Sequence, residues 1–592
     1  MLHVIQEKIR QASWLLLLFL LPGAQALSAA DYRFEGVDRV VVVGDVHGAY
    51  DELVTLLQGT GLVDAELRWS GGEAHLVSLG DLLDRGDYGK QVMDLLMRLD
   101  EEAAAAGGDV HVIHGNHEAM NLAGDLRYVS LGDYAQFGAE QAGEFPPGFF
   151  ERRAALAPDG EYGAWLLDLP VAIVVNDTLF IHGGVSPLLD RLTLDTLNER
   201  ARSDIRRFAQ GWHTLLDAGI VSDDDGQRMI IARAAALGED AAPEVRAAGD
   251  AITAATEGLP FIPDGPLWYR GNSLCHAYVE TEPTKRVLEQ FGAARVAVGH
   301  TPTRGRRITS RLDGHVLRVD TGMNVSAYQG RPSALVLEDG TVRAWYAGEG
   351  YAEVETAPPR EWDRPYGMSD AEIEAFLLTA DVTEVDAAGD AEVQRVVLEH
   401  DGRRLDAVFN TVDTAPGLES RRWRRGDEQA ERFGYEIAAY RVDRLLELGM
   451  VPVTVEREIG DARGSLRLWI PGSFSERQRQ AQQIPFTGAC DLAGQYQLMS
   501  AFDVLILNAV HDLGTLRYDE DWRLWLTDQS EAFGVASDVR AMLRNSELTL
   551  TPQMGAALET ITAQNVAPLS AYLHPRQLEA LVTRATQLQR LR

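Results

Sequence analysis

The chain has 592 residues and a formal net charge of -34, from 89 acidic against 55 basic side chains. That length exceeds what one hydrophobic core organises, so two or more domains are expected. The charge argues against broad nucleic-acid binding, since phosphates need a basic counter-surface, and any site for an anionic substrate must be positive locally.

The N-terminus reads as a secretory signal. Lys8 and Arg10 give a positive start, Trp14 to Leu21 a short apolar run, and Ala24-Gln25-Ala26 a small-x-small cleavage site. Pro22-Gly23 ends the run before it can span a bilayer comfortably. Loss of residues 1–26 would leave an exported, periplasmic protein with no stable membrane span; the alternative is an uncleaved anchor. Lysine is confined to Lys8, Lys90 and Lys285, and the only cysteines are Cys275 and Cys490. Two distant cysteines make neither a disulfide framework nor a zinc pattern, and whether they pair or stay as buried thiols is open at this stage.

Residues 27–355 read as one domain of alternating strands and helices. Buried strands are expected at Arg39-Val43, His75-Leu79, Asp109-Ile113, Val171-Val175 and Arg295-Val298, most of them running straight into Gly, Asp or His. Such a pattern suggests an α/β sandwich with ligands at strand ends. Two insertions, 126–161 and a helical, Ala-rich 190–264, could cap a cleft or merely decorate the surface. Pro358-Pro359 and Pro365 mark a linker at 356–366, and residues 367–592 form a second, α+β domain.

Three motifs follow strands in order: Gly44-Asp45-Val46-His47-Gly48, Gly80-Asp81-Leu82-Leu83-Asp84-Arg85-Gly86 and Gly115-Asn116-His117-Glu118. Two more histidines, His182 and His300, follow later strands. Two divalent cations ~3.5–4 Å apart call for this mixture of carboxylate, imidazole and amide. Asp81 is placed to bridge them, Asp45 and His47 to hold the first, and Asn116, His182 and His300 to hold the second. A hydroxide between the metals would attack phosphorus in line with the leaving oxygen. His117 would protonate that oxygen, Asp84 would orient His117, and Arg85 would grip the phosphate. His111, His114 and His315 fit no ligand slot and read as core or supporting residues.

The segment from 37 to about 350 resembles the metal-dependent phosphoprotein phosphatases of the calcineurin-like superfamily, and within them the bacterial Shewanella-like phosphatases. Beyond the three motifs, the text that carries this is Ala119-Met120-Asn121, Asp125-Leu126-Arg127-Tyr128-Val129, Val175 to Gly184, Gly265 to Gly271 and Asp320-Thr321-Gly322-Met323. The resemblance implies a calcineurin-like β-sandwich with flanking helices, the metal assignment above and Arg270 as a second phosphate-binding arginine. It favours Mn, with Fe or Zn as alternatives. The expected activity is hydrolysis of phosphoproteins or small phosphomonoesters; hydrolysis of nucleotide or dinucleotide polyphosphates is the alternative.

The second domain resembles, more weakly, the atypical kinase-like folds of HipA-type and secretory-pathway kinases. Glu436 matches their helix glutamate and Asp528 their metal aspartate. Asn410 stands at the expected strand lysine, and the catalytic-loop positions read Val510 and Thr515. A kinase-like domain without kinase activity, acting as a binding module for a protein partner, is expected; otherwise it is an unrelated α+β domain with Glu436 and Asp528 on its surface.

Overall fold

The computed structural model describes residues 32–141, 143–361, 367–386, 392–414, 430–508, 512–543 and 548–591. The secretory segment, 362–366 of the linker, and Val510 therefore lie outside the described residues.

The first half contains β1 (Arg33–Phe34), β2 (Arg39–Val43), β3 (His75–Ser78), β4 (Asp109–Val112), β5 (Ala172–Val175), β6 (Thr178–Ile181), β7 (Arg295–Val298), β8 (Thr309–Arg311), β9 (Val316–Arg318), β10 (Ser333–Glu338), β11 (Thr341–Tyr346), β12 (Gly350–Glu353) and β13 (Glu355–Thr356). They form two sheets, ordered β12-β11-β10-β2-β3-β4 and β1-β5-β6-β7-β9-β8-β13. Each sheet is mixed. β2, β3 and β4 run parallel, as do β6, β7 and β9, and β1 with β5 and β8 with β13; β10 pairs antiparallel with β2, and β10-β11, β11-β12, β5-β6 and β8-β9 are antiparallel hairpins. The valines of β2 and the apolar residues of β5, β6 and β7 share one contiguous core, so the sheets are packed on each other. Strands covered on both faces lose their hydrophobic alternation, which is why β2 reads Val-Val-Val-Val.

Because β2, β3 and β4 are parallel, their C-terminal ends lie side by side. The same holds for β6 and β7. All three motifs, His182 and His300 follow those ends, and this topology alone brings them to one edge of the sandwich. The insertion 190–264 is helical, built on Leu194–Asp217, Gln227–Ala235 and Pro243–Thr256 with its own small core. The insertion 126–161 holds no strand among its described residues and two short helices, Leu131–Ala135 and Phe149–Ala155.

The second half contains β14 (Asp381–Asp386), β15 (Val393–His400), β16 (Arg403–Asn410), β17 (Asp413–Thr414), β18 (Glu431–Arg432), β19 (Thr454–Ile459) and β20 (Ala462–Leu468). Five of them join as the antiparallel sheet β14-β15-β16-β20-β19, on which the helix Phe433–Leu445 packs. This half has its own apolar core. Glu436 is buried on that helix, which corrects the alternative of a surface residue; Asp528 is exposed. Asn410 Nδ2 donates to Glu436 Oε1 at 3.3 Å and Ser465 Oγ to Oε2 at 2.6 Å.

The halves are tied covalently. Cys275 and Cys490 form a disulfide across a sequence separation of 215. Around it, the Tyr278 hydroxyl donates to the Leu446 carbonyl at 2.9 Å and Arg360 donates to the Gly449 carbonyl at 2.5 Å. The described part of the 356–366 segment is also held in place. Glu361 pairs with buried Arg318 at 2.6 Å, and the Pro359 carbonyl accepts from Ala277 and Arg311.

Candidate active site

The strand ends enclose a cavity of about 200 Å³ whose lining includes Asp45, His47, Asp81, Arg85, Asn116, His117, Arg270 and His300. These are eight of the ten residues singled out from the sequence. The other two, Asp84 and His182, are fully buried behind it.

The backbone reaches this arrangement through conformations that L-residues seldom adopt. His47, Asp81, Asp84, Arg85 and His300 have φ of 49°, 51°, 71°, 68° and 65°. Five left-handed non-glycine residues gathered at one edge mean that tertiary structure is overriding local preference, as functional sites commonly require. Two glycines make the packing feasible. A Cβ on Gly80 would stand 2.3 Å from the Gly115 nitrogen, and one on Gly115 would stand 2.2 Å from Asp81 Oδ1. The Glu118 carboxylate then ties the two loops, accepting from the backbone N–H groups of Asp81, Leu82 and Gly115 at 2.8, 2.8 and 2.9 Å.

Asp81 is central. Its Oδ1 lies 3.4 Å from His182 Nε2, and its Oδ2 lies 3.6 Å from His47 Nε2 and 3.9 Å from His117 Nε2. His182 Nε2 also meets Asn116 Oδ1 at 2.9 Å. Asp45 receives the His300 backbone N–H on both oxygens, at 3.0 and 3.1 Å.

The residues fit divalent cations on three counts. First, the His47 and His182 Nδ1 atoms sit 3.0 and 2.7 Å from the carbonyls of Leu83 and Leu79. Each Nδ1 therefore donates to its carbonyl, which leaves the His47 Nε2 toward the cavity and the His182 Nε2 toward Asn116 Oδ1 and Asp81, the donors it would share a cation with. Second, the buried His300 Nε2 has no hydrogen-bond partner. Third, burial together with Asp320 and Asp81 holds the Asp45 carboxyl well above its usual range, and burial raises Asp320 to about 6. Buried carboxylates that repel one another are relieved by a cation. Burial holds His47 down near 4 and His300 well below its usual value, so both rings are neutral and able to ligate. Two triads in which one donor atom per residue lies within 4.8 Å of the others meet at Asp81: His47-Asp81-His117 and Asp81-His182-His300.

His117 differs from the other rings. Its Nδ1 lies 2.6 Å from Asp84 Oδ2, and burial is outweighed by Asp81 and Asp84, so its pKa is raised. Asp84 is itself fixed by Asn121 Nδ2 at 3.1 Å, and Asn121 is held by Arg152, which pairs with buried Asp133 at 2.8 Å. Arg85 is clasped between the rings of Tyr128 and Tyr328, 4.7 and 5.1 Å from their centroids. Arg270 donates to the His300 carbonyl at 2.8 Å and to Thr301 Oγ1 at 3.0 Å.

Sequence reasoning gave no role to Asp320, Tyr328 or the Asn121-Arg152-Asp133 chain. Tyr328 stacks on His47 and brings its hydroxyl 3.1 Å from His47 Nε2. The text around Asp320 belonged to the family resemblance, and that was the only signal available. His114 is buried in the core, whereas His315 is half-buried with Nδ1 2.9 Å from the Ala294 carbonyl.

Comparison with known proteins agrees with this geometry. Residues 38–304 match the family model described as calcineurin-like phosphoesterase. Shewanella-like protein phosphatase 1 of Plasmodium berghei (strain Anka) is 26% identical over 311 residues, covering 52% of this chain and 73% of that protein. Shewanella-like protein phosphatase 2 of Arabidopsis thaliana is 32% identical over 213 residues, 30% of this chain and 54% of that protein, so the chain spans about half of that relative's length. Among solved structures, a cold-active protein-tyrosine phosphatase of a psychrophilic Shewanella sp. is 28% identical, covering 55% of this chain and 82% of its own with a TM-score of 0.39. Residues 38–304 therefore form a domain similar to the calcineurin-like phosphoesterases, with a ligand set suited to divalent cations, and the two Shewanella-like sequence relatives support a metal-dependent phosphatase.

Proposed function

We propose that the chain is an exported phosphomonoesterase that removes phosphate from Ser, Thr or Tyr side chains of proteins and from similar small esters. The observation that carries this reading is the placing of Asp81 between two imidazole groups, in a cavity that also contains Arg85 and Arg270. Asp45 and His47 would hold one cation, Asn116, His182 and His300 the other, with Asp81 shared. Mn is the cation proposed first, with Fe or Zn as the alternatives. When bound, such a pair lowers the pKa of coordinated water and neutralises charge on the phosphoryl oxygens.

The protein's own groups then have defined tasks. Arg85 and Arg270 bind and orient phosphate oxygens, giving local positive charge in a molecule of net charge -34. His117, protonated and aimed by Asp84, delivers a proton from Nε2 to the leaving oxygen. A 200 Å³ cavity suits a phosphoryl group whose carrier remains outside, and it falls short of the ~300–1,000 Å³ of sites that engulf a whole drug-sized ligand. This favours monoesters over dinucleotide polyphosphates. Export is supported by the disulfide, which persists in oxidising compartments.

The test is turnover of p-nitrophenyl phosphate with Mn, against a symmetrical dinucleotide polyphosphate. The expected result is hydrolysis of the first and little of the second. The His117→Asn variant should lose about 10²-fold in kcat while retaining its metals, the lower end of what a general acid contributes. An unchanged kcat in that variant would remove His117 from the mechanism.

For the second half we infer a kinase-like module without kinase activity that engages a protein partner. The support is the Asn410-Glu436 contact: a neutral amide stands where phosphotransfer would need an ammonium group, and no lysine follows Lys285. The full chain carrying Asp81→Asn, which suppresses dephosphorylation, is expected to gain no label from γ-labelled ATP. Label on the protein or on an added substrate would contradict the reading.

A further inference from the structure

We propose that His75, Asp109 and His111 form a divalent-cation site, suited to Zn²⁺, that is separate from the catalytic cavity. They lie on the adjacent parallel strands β3 and β4, in whose register His75 pairs with Asp109 and Val77 with His111. Side chains alternate along a strand, so Asp109 and His111 share a face, and the pairing places His75 on that face too. The catalytic residues Asp81 and Asn116 follow the C-terminal ends of these two strands; this cluster starts at their N-terminal ends.

The donors converge. His111 Nε2 stands 2.9 Å from His75 Nδ1 and 3.7 Å from Asp109 Oδ2. One donor atom from each of the three lies within 4.8 Å of the other two. Two imidazole nitrogens at that separation share a single N–H, one donating and the other accepting. Moving the N–H to the far nitrogen of its own ring turns two lone pairs toward one point, with Asp109 as third donor. Nothing leaves the protein in that step, because each ring stays neutral. Burial keeps both rings below the ordinary histidine range, His111 at about 4, so neither needs to lose a proton at neutral pH.

Charge and enclosure favour a cation as well. Burial and the neighbouring Asp109 push the Asp100 carboxyl up, which places a second carboxylate within electrostatic reach. Phe34 of β1, from the facing sheet, covers the cluster with its ring centroid 4.2 Å from that of His111 and 6.0 Å from that of His75. Two imidazoles and one carboxylate match zinc chemistry, with bonds of ~2.0–2.2 Å and a fourth position left for water. Since β4 is an edge strand, a bound ion would pin β4 to β3 beneath β1, fastening the base of the sandwich.

The test is Zn²⁺ binding by the full chain after removal of metals, read by equilibrium dialysis and by the Zn-dependent rise in melting temperature. Wild type is expected to bind one equivalent more per chain than His75→Ala/His111→Ala. Asp109→Asn preserves side-chain volume and should weaken the additional equivalent more than tenfold. Both variants should retain wild-type turnover with Mn, because neither touches the cavity. Equal stoichiometry and affinity in wild type and Asp109→Asn would overturn the proposal, and that variant decides the matter if the double variant does not fold.

Discussion

Asp81→Asn is expected to lower kcat on p-nitrophenyl phosphate by about 10³-fold, since the charge lost is worth several kcal/mol in the transition state at 1.36 kcal/mol per decade. The substitution keeps one oxygen and nearly the same volume, so the His117 N–H that Oδ1 accepts at 2.9 Å can still be satisfied. What disappears is the negative charge at the meeting point of the His47, His117 and His182 rings. Burial raises the Asp81 pKa, but the contacts it makes with the surrounding His182, His117 and His47 rings outweigh burial and hold the carboxyl well below its usual range. A neutral amide in its place should therefore reduce metal occupancy along with turnover, while far-UV circular dichroism stays that of the wild type. Metal analysis beside kinetics separates this outcome from misfolding.

The second large effect concerns stability. Removing the Cys275-Cys490 bridge, by reduction or by Cys275→Ser/Cys490→Ser, is expected to cost about 2–5 kcal/mol. The upper end follows from the chain entropy of closing a loop across 215 positions. Noncovalent contacts will hold part of the interface, among them Tyr278 to Leu446 and Arg360 to Gly449. Calorimetry should show the melting transition lowered and the two halves unfolding less cooperatively, in line with their separate cores. Identical melting of oxidised and reduced protein would show that the bridge contributes nothing. A smaller catalytic effect is expected as well. Cys275 ends the short helix Gly271–Leu274, which begins directly after Arg270, so loosening the bridge should raise KM more than it lowers kcat.

The catalytic edge was legible in the sequence because each element leaves a local mark. A buried parallel strand is a run of β-branched residues, and a ligand loop is Gly with Asp or His directly after that run. Five such marks sufficed to name nine of the ten residues that gather at one edge. Arg270 was the exception, since nothing in its spacing marks it and only the family resemblance supplied it. Asp320 and Tyr328 act through contacts made between distant segments, and Tyr328 reaches His47 from 281 positions away. No local pattern records such contacts. The disulfide was illegible for the same reason. The His75-Asp109-His111 cluster depends on the register of two strands, which periodicity does not fix for strands buried on both faces. In the second half, Glu436 could be placed on a helix from its apolar spacing, but its burial against Asn410 and Ser465 required the sheet.

The most direct test of the two-cation phosphatase is a titration of chelator-stripped protein with Mn²⁺, recording bound metal and p-nitrophenyl phosphate turnover together. Turnover should be absent in the stripped wild-type protein and appear as the second cavity equivalent binds, and Asp81→Asn should stay about 10³-fold below wild type at every concentration. Full turnover in protein shown to be metal-free, or in Asp81→Asn, would contradict the account.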